Sequence, residues 1–469
     1  MLLRPLAFAL AVGLLPAAAG ADDLLQSYQN ARDSDPQLAA AESSRLATRE
    51  GAVQARAAML PQINGNATFR RSESEGPATF QSDPTRPEVT GDISSTTTSR
   101  NLGVDGTQML YDRSRFSALK GQRALGRASD FQLESAGDSL ITRTSAAYFN
   151  VLVQLETLAA AEAAEAALKK QFDFASKRLE VGLAPITDMH EARAQFDNAR
   201  ANTILARNAV QDAHQALVEI TAKPVAVLKG LPDDFQPALP EARDADGWVR
   251  TAVAQNPALQ AKQAQVEASS ANVETARAGH WPTLYLSGGY GRQATWGERN
   301  FSSGAFSNTS PINNEGSGPS LGLTLNIPFF NGGATQSRVR QALAQRDVAR
   351  DELEQQRRAL ERSTRRAYQT LVAGISEVEA RRLAKVSAQS AYDASQVGLE
   401  VGTRTVLDVL NNQRTLFSAQ QAYALAKYNF LQNRLLLEQA AGTLEVSDLA
   451  TVNRLLTTTE PVVKPTGAP

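Results

Sequence analysis

Two short stretches combine residue types able to make a directed ionic contact. Val181–Met189 reads VGLAPITDM and Val401–Leu410 reads VGTRTVLDVL. Each places an aspartate six residues after a glycine, Asp188 after Gly182 and Asp408 after Gly402, and only the second adds a cation, Arg404. A guanidinium offers a planar fork to a carboxylate, and the pair is strong where water is partly excluded. Both glycines sit at turns between long helical runs. The chemistry this suggests is a reversible latch between two hairpin tips, the gated end of a tube. On spacing alone the same charges also suit a solvated coil surface.

No other constellation competes. The three histidines, His190, His214 and His280, are scattered without metal spacing or a nucleophile partner, and cysteine is absent. Disulfides, thiolate metal sites and a lipidated N-terminal cysteine are therefore excluded. Ser287–Arg292, SGGYGR, is not followed by a helix and so is no phosphate loop. The reading is a non-enzyme with no catalytic residues, no metal site and no cofactor. A formal charge of −1 over 469 residues gives no basic excess, hence no nucleic-acid partner.

The elements that must carry the two tips are written twice. Asp35-Pro36 matches Asn256-Pro257, Pro61 matches Pro282, and Gly103 matches Gly322. Tyr148 matches Tyr368, and Leu179–Gly182 matches Leu399–Gly402, all near one constant offset. The domain reading is a signal peptide over 1–21, repeat 1 over 22–222, a proline-rich linker over 223–244, repeat 2 over 245–456 and a disordered tail over 457–469. Arg4, the apolar Leu6–Leu15 and the small residues Ala19–Ala21 support the signal peptide. No later stretch is apolar enough for a transmembrane helix.

Each repeat runs helix, strand, loop, strand, long helix, turn, helix. Period-two alternation places strands over 61–71, 100–111, 282–293 and 319–330; Leu321, Leu323, Leu325, Ile327 and Phe329 face one way and Ser320, Gly322, Thr324 and Asn326 the other. About ten alternating residues match a tilted membrane strand. Arg71–Ser99 and Ala294–Pro319, rich in polar and turn residues, read as solvated loops. Arg113–Lys177 and Thr335–Gln396 lack proline, and Tyr148, Val151/Leu152, Leu155 and Leu158 in the first, with Leu371, Ile375, Val378 and Val386 in the second, recur at coiled-coil spacing over some 65 residues or about 98 Å. Four strands cannot close a membrane barrel, whose smallest examples have eight, so several chains must pool them. The fold class is α+β: a transmembrane β-barrel shared between chains, continuous with a helical coiled-coil barrel. A periplasmic coiled-coil adaptor or adhesin without a pore is the alternative, and it has no use for paired alternating strands.

Val181–Asp197, Gly402–Leu410 and Leu416–Gly442 resemble the TolC-type outer-membrane efflux proteins, and the resemblance runs the length of the mature chain. It implies a homotrimer with a twelve-stranded barrel in outer-membrane lipid and a tunnel projecting into the periplasm. It implies a periplasmic adaptor and an inner-membrane pump or ABC exporter as partners, in drug efflux or type I secretion. Thr187, Asp188 and Arg404 match the links that tie neighbouring coils at the closed end. Asp408 matches one of two aspartates lining the pore constriction. The second falls on Asn411, so one acidic ring would remain and cation selectivity would weaken. Leu399 stands where the pattern has a tyrosine supporting the link to Asp188.

Overall fold

The computed structural model describes residues 23–80, 85, 88–183, 185–225, 227–239, 243–304 and 306–461. The signal peptide read over 1–21 lies outside them. The chain begins with α1 (Leu24–Ser34) and α2 (Pro36–Ala57), then β1 (Gln62–Phe80), β2 (Val89–Tyr111), α3 (Arg113–Glu180) and α4 (Ile186–Thr221). After β3 (Val227–Gly230) the same order recurs as α5 (Ala245–Gln255), α6 (Pro257–Arg277), β4 (Thr283–Ser303), β5 (Phe306–Asn326), α7 (Ala334–Glu400) and α8 (Val406–Ala441). Short α9 (Val446–Asn453) and β6 (Thr458–Pro461) follow.

Local chemistry explains the joints. Asp35 and Asn256 accept from the N–H groups of Leu38 (2.7 Å) and Leu259 (3.1 Å), capping α2 and α6, and a proline fills the first helical position of each. At the end of α8, Gly442 takes φ 71°, and a Cβ there would lie 2.6 Å from the Asn256 backbone. Only glycine fits that approach.

The chain forms two compact units. One comprises 44–130 and 261–353 and holds a four-stranded antiparallel sheet in the order β1-β2-β4-β5. Its register puts Ile63, Val104, Leu102, Phe69, Leu284, Leu286, Tyr290, Leu321, Leu323 and Leu325 on one face. The opposite face carries Asn64, Asn66, Thr68, Gly103, Asp105, Gly289, Gly291, Ser320, Gly322 and Thr324. The apolar face is uncovered by the chain itself: Leu321 is 82% and Ile63 74% exposed. β1 and β5 each present one edge that no strand among the described residues pairs.

The strands, of 19, 23, 21 and 21 residues, are nearly twice as long as the alternation predicts, and this corrects the loop reading of 71–99 and 294–319. β1 and β2 stay paired from Gln62–Thr107 to Phe80–Val89, and β4 and β5 from Thr283–Asn326 to Ser303–Phe306. Backbone pairing needs no apolar face, and the Ser/Thr-rich outer halves satisfy their N–H and C=O groups across strands while both faces stay wet. β5 ends at Asn326, so Ile327–Phe330 is not strand.

The other unit comprises the described residues of 23–43, 131–260 and 354–461. Its core gathers Leu24, Leu140, Tyr148, Leu152, Leu217, Trp248, Tyr428 and Leu431. Tyr148, Val151, Leu152 and Leu155 are buried at the predicted helical spacing, as are Leu371 and Val378, whereas Val386 is exposed. The inter-repeat segment is pinned by three hydroxyls. Tyr148 donates to the Lys229 carbonyl and accepts its N–H (both 2.9 Å), Tyr428 accepts the Leu231 N–H (3.2 Å), and Tyr423 donates to the Asp233 carbonyl (2.8 Å). Between the rings of Tyr423 and Tyr428 lies Lys427, fully buried, with Nζ 3.2 Å from Glu156. A second correction concerns the tail. Thr458–Pro461, read as disordered, forms β6 and pairs antiparallel with β3 inside the segment read as a linker. Residues 462–469 lie outside the described set.

Candidate functional site

The two hairpin tips share one turn geometry. Gly182 takes φ 72° and Gly402 φ 78°. The Gly182 N–H donates to the Leu179 carbonyl (2.9 Å) and the Leu183 N–H to Arg178 (2.7 Å). In the second tip Gly402 donates to Leu399 (3.2 Å) and Thr403 to Gly398 (2.8 Å). Both are Schellman closures, which need a left-handed residue after the helix, and the identical spacing follows from that need. The tips differ in what begins the return helix. Pro185 opens α4 without a side-chain cap, whereas Thr405 and Asp408 form a capping box on α8.

Asp408 accepts from the Thr405 N–H (3.0 Å) and hydroxyl (2.9 Å), while the Asp408 N–H donates back to that hydroxyl (3.2 Å). The Thr405 N–H, then its hydroxyl, then the nearby Arg404 charge hold the Asp408 carboxyl below the usual carboxylate range. One carboxylate oxygen thus serves the helix; the other is uncommitted. Asn411, one turn on, is exposed, and its carbonyl accepts from Thr415 (3.0 Å).

Asp188 and Arg404 are not brought together within one chain. Thr187 lies 3.5 Å from Asp188 through its hydroxyl, and among the described residues neither Asp188 nor Arg404 enters an ion pair. Arg404 is exposed and its stem lies over Gly398, where an added Cβ would meet Arg404 Cγ at 2.6 Å. Gly398 therefore sets the path of the arginine. A glycine inside a helix gives no local sign of that role. The Thr405–Asp408 box did have one, the T-x-x-D spacing before an apolar run.

The coils behind the tips are fastened. Phe172 of α3 stacks on Phe196 of α4 (6.2 Å), and Arg207 pairs with Glu162 (3.2 Å). Between α3, α4 and α8 lies a cavity of about 420 Å³ that Gln413 enters, buried, with neither amide atom bonded. Among the described residues no group of His, Asp or Glu is arranged to hold a metal, and no helix is long and apolar enough to cross a membrane.

The family model for outer membrane efflux proteins matches this chain over residues 27–223 and again over 248–443. The chain belongs to that family. It is 33% identical over 453 residues to the outer membrane protein TolC of Vibrio cholerae, covering 96% of this chain and 98% of the relative. To the alkaline protease secretion protein AprF of Pseudomonas aeruginosa it is 28% identical, over 94% and 88% of the two chains. Among solved structures, that of CusC superposes with a TM-score of 0.71 at 18% identity, covering 90% and 92%. As an outer membrane efflux protein this chain is a channel of the efflux and secretion class rather than an enzyme, located in the outer membrane. The adaptor alternative is thereby set aside.

Proposed function

We propose that three copies close one twelve-stranded barrel, β1 of each pairing with β5 of the next, and that the duct so formed is gated at its hairpin tips. The observation that carries this is the sheet itself. It has one apolar face, one polar face and two unpaired edges, and in lipid such edges leave N–H and C=O groups without partners. Closure between copies satisfies both. The polar, glycine-rich face then lines the lumen and the apolar face meets hydrocarbon.

At the hairpin tips, Arg404 and Asp188, neither in an ion pair among the described residues, favour a link between coils of neighbouring copies, with Thr187 beside it. Each exposed pair is worth at most about 1 kcal/mol, so three repeated links hold the end shut yet yield to a partner that binds the coils elsewhere. Asp408, with Asn411 behind it, sets the narrowest ring. A periplasmic adaptor and an inner-membrane pump or ABC exporter supply opening and energy, since no nucleotide motif is present in the sequence.

Planar-bilayer conductance of the parent against Arg404→Ser tests the reading. A small parental conductance that rises clearly in the variant is expected. Equal conductances keep the pore and discard the arginine link. No insertion by either folded sample discards the barrel.

A further inference from the structure

We propose that Arg71, Arg100 and Arg292 form a binding site for the phosphate-bearing headgroup of an outer-leaflet glycolipid, at the outer limit of the apolar belt. This rests on the barrel reading above. The register sets Phe69 opposite Arg100, Arg71 opposite Thr98, and Leu102 opposite Arg292. The three arginines therefore run diagonally over β1, β2 and β4 on the lipid-facing side, each displaced two residues from the next. That places neighbouring Cα atoms about 8 Å apart.

The level is right for a headgroup. Along this face Ile63, Leu284, Leu286, Leu321 and Leu323 come first, counted from the strand ends that join the helices. The arginines follow, interleaved with Phe69 and Trp296, whose ring centroids are 6.3 Å apart. An aromatic girdle marks a membrane interface, and an arginine stem there lies along apolar surface with its fork held toward water. The helical ends are periplasmic, so this interface belongs to the outer leaflet.

The charge is right for phosphate. Arg71 pairs with Glu73 (3.2 Å) and Arg292 with Glu315, both exposed contacts that a stronger anion displaces readily. Arg100, between them and exposed, makes no ion pair among the described residues, and only the more distant charge of Glu315, already held by Arg292, acts on it. Three guanidinium groups thus face two carboxylates in each copy. Further out the same face turns acidic with Glu75, Asp92 and Glu298, which stops a phosphate from seating beyond the arginines. A planar fork binds phosphate bidentately, and a phosphomonoester offers more charge and more free oxygens than a diester.

The full chain, purified in non-ionic detergent and assayed for conductance, is titrated with diphosphorylated lipid A, and bound lipid is read by native mass spectrometry. The R71Q/R100Q/R292Q variant should bind at least about tenfold more weakly than the parent. R70Q/R299Q removes charge from the opposite face, where Arg70 and Arg299 lie by register, and should bind as the parent does. Undiminished binding by the first variant overturns the site. So does an equal loss in the second, or equally tight binding of phosphatidylglycerol, a diester. A parent that conducts but binds no lipid A overturns the site alone. One that neither conducts nor binds overturns the barrel as well.

Discussion

Gly398 shows how a residue without a functional group decides what an ionic group can do. Its missing side chain is the space in which the Arg404 stem lies. Gly398→Ala should displace the arginine with no change in charge, and its single-channel conductance should rise toward that of Arg404→Ser. A second residue-scale expectation concerns the α8 cap. Thr405→Ala removes the side-chain half of the box and should cost about 1 kcal/mol, read as a lower denaturant midpoint. The Asp408 carboxyl is depressed in the folded chain, so its contribution is complete above the unfolded aspartate pKa and is lost as pH falls through the lower folded value. Asp138 of α3 has the opposite sign. Burial first, then the Glu134 charge, pushes its carboxyl up to about 6. The folded chain therefore holds this proton more tightly than the unfolded one, and the penalty grows as pH rises from about 4 to 6 and stays above it. Asp138→Asn should raise the melting temperature at pH 8, and the gain should vanish at pH 4.

At the scale of elements, the sheet's two faces make a prediction that neighbouring residues can separate. Leu323→Arg places a charge on the apolar face, which in the proposed barrel meets lipid, at a cost of about 2–4 kcal/mol near the bilayer midplane, and should prevent insertion. Thr324→Arg, one residue on and on the polar face, should insert and conduct. Gel mobility with and without heating, together with bilayer insertion, reads both. This facial alternation was legible in Ser320–Phe329 because burial on one side only leaves a period of two. The outer halves of the same strands were not legible. Ser94–Thr98 and Asn313–Ser317 are polar on both faces, and what makes them strand is a partner some tens of residues away. The tips were legible for a related reason: a Schellman closure is local, so Gly182 and Gly402 announce it. The proposed Arg404–Asp188 link was not, since its partners sit on separate tips and among the described residues neither enters an ion pair.

For the whole molecule, the proposed threefold assembly would turn weak pairs into a gate. Chains of the parent and of Arg404→Ser mixed before assembly should give a graded series of conductances. A gate closed by one copy alone would give only the two parental values. The family match over two separate stretches, and an element order that repeats, set this architecture apart from a single-core domain.

The pairing of β6 with β3 carries a consequence for the order of events during biogenesis. β3 leaves the ribosome between the two repeats and must wait for a strand that follows both of them. The Tyr148, Tyr423 and Tyr428 hydroxyls grip main-chain atoms of that waiting segment, and Leu228, Leu231 and Phe235 bury their side chains in the same core, so both its path and its apolar positions are fixed. Fastening therefore comes late in synthesis. A chain interrupted before Thr458 would carry both tips and all four long strands and still lack the clasp that finishes the first repeat's boundary.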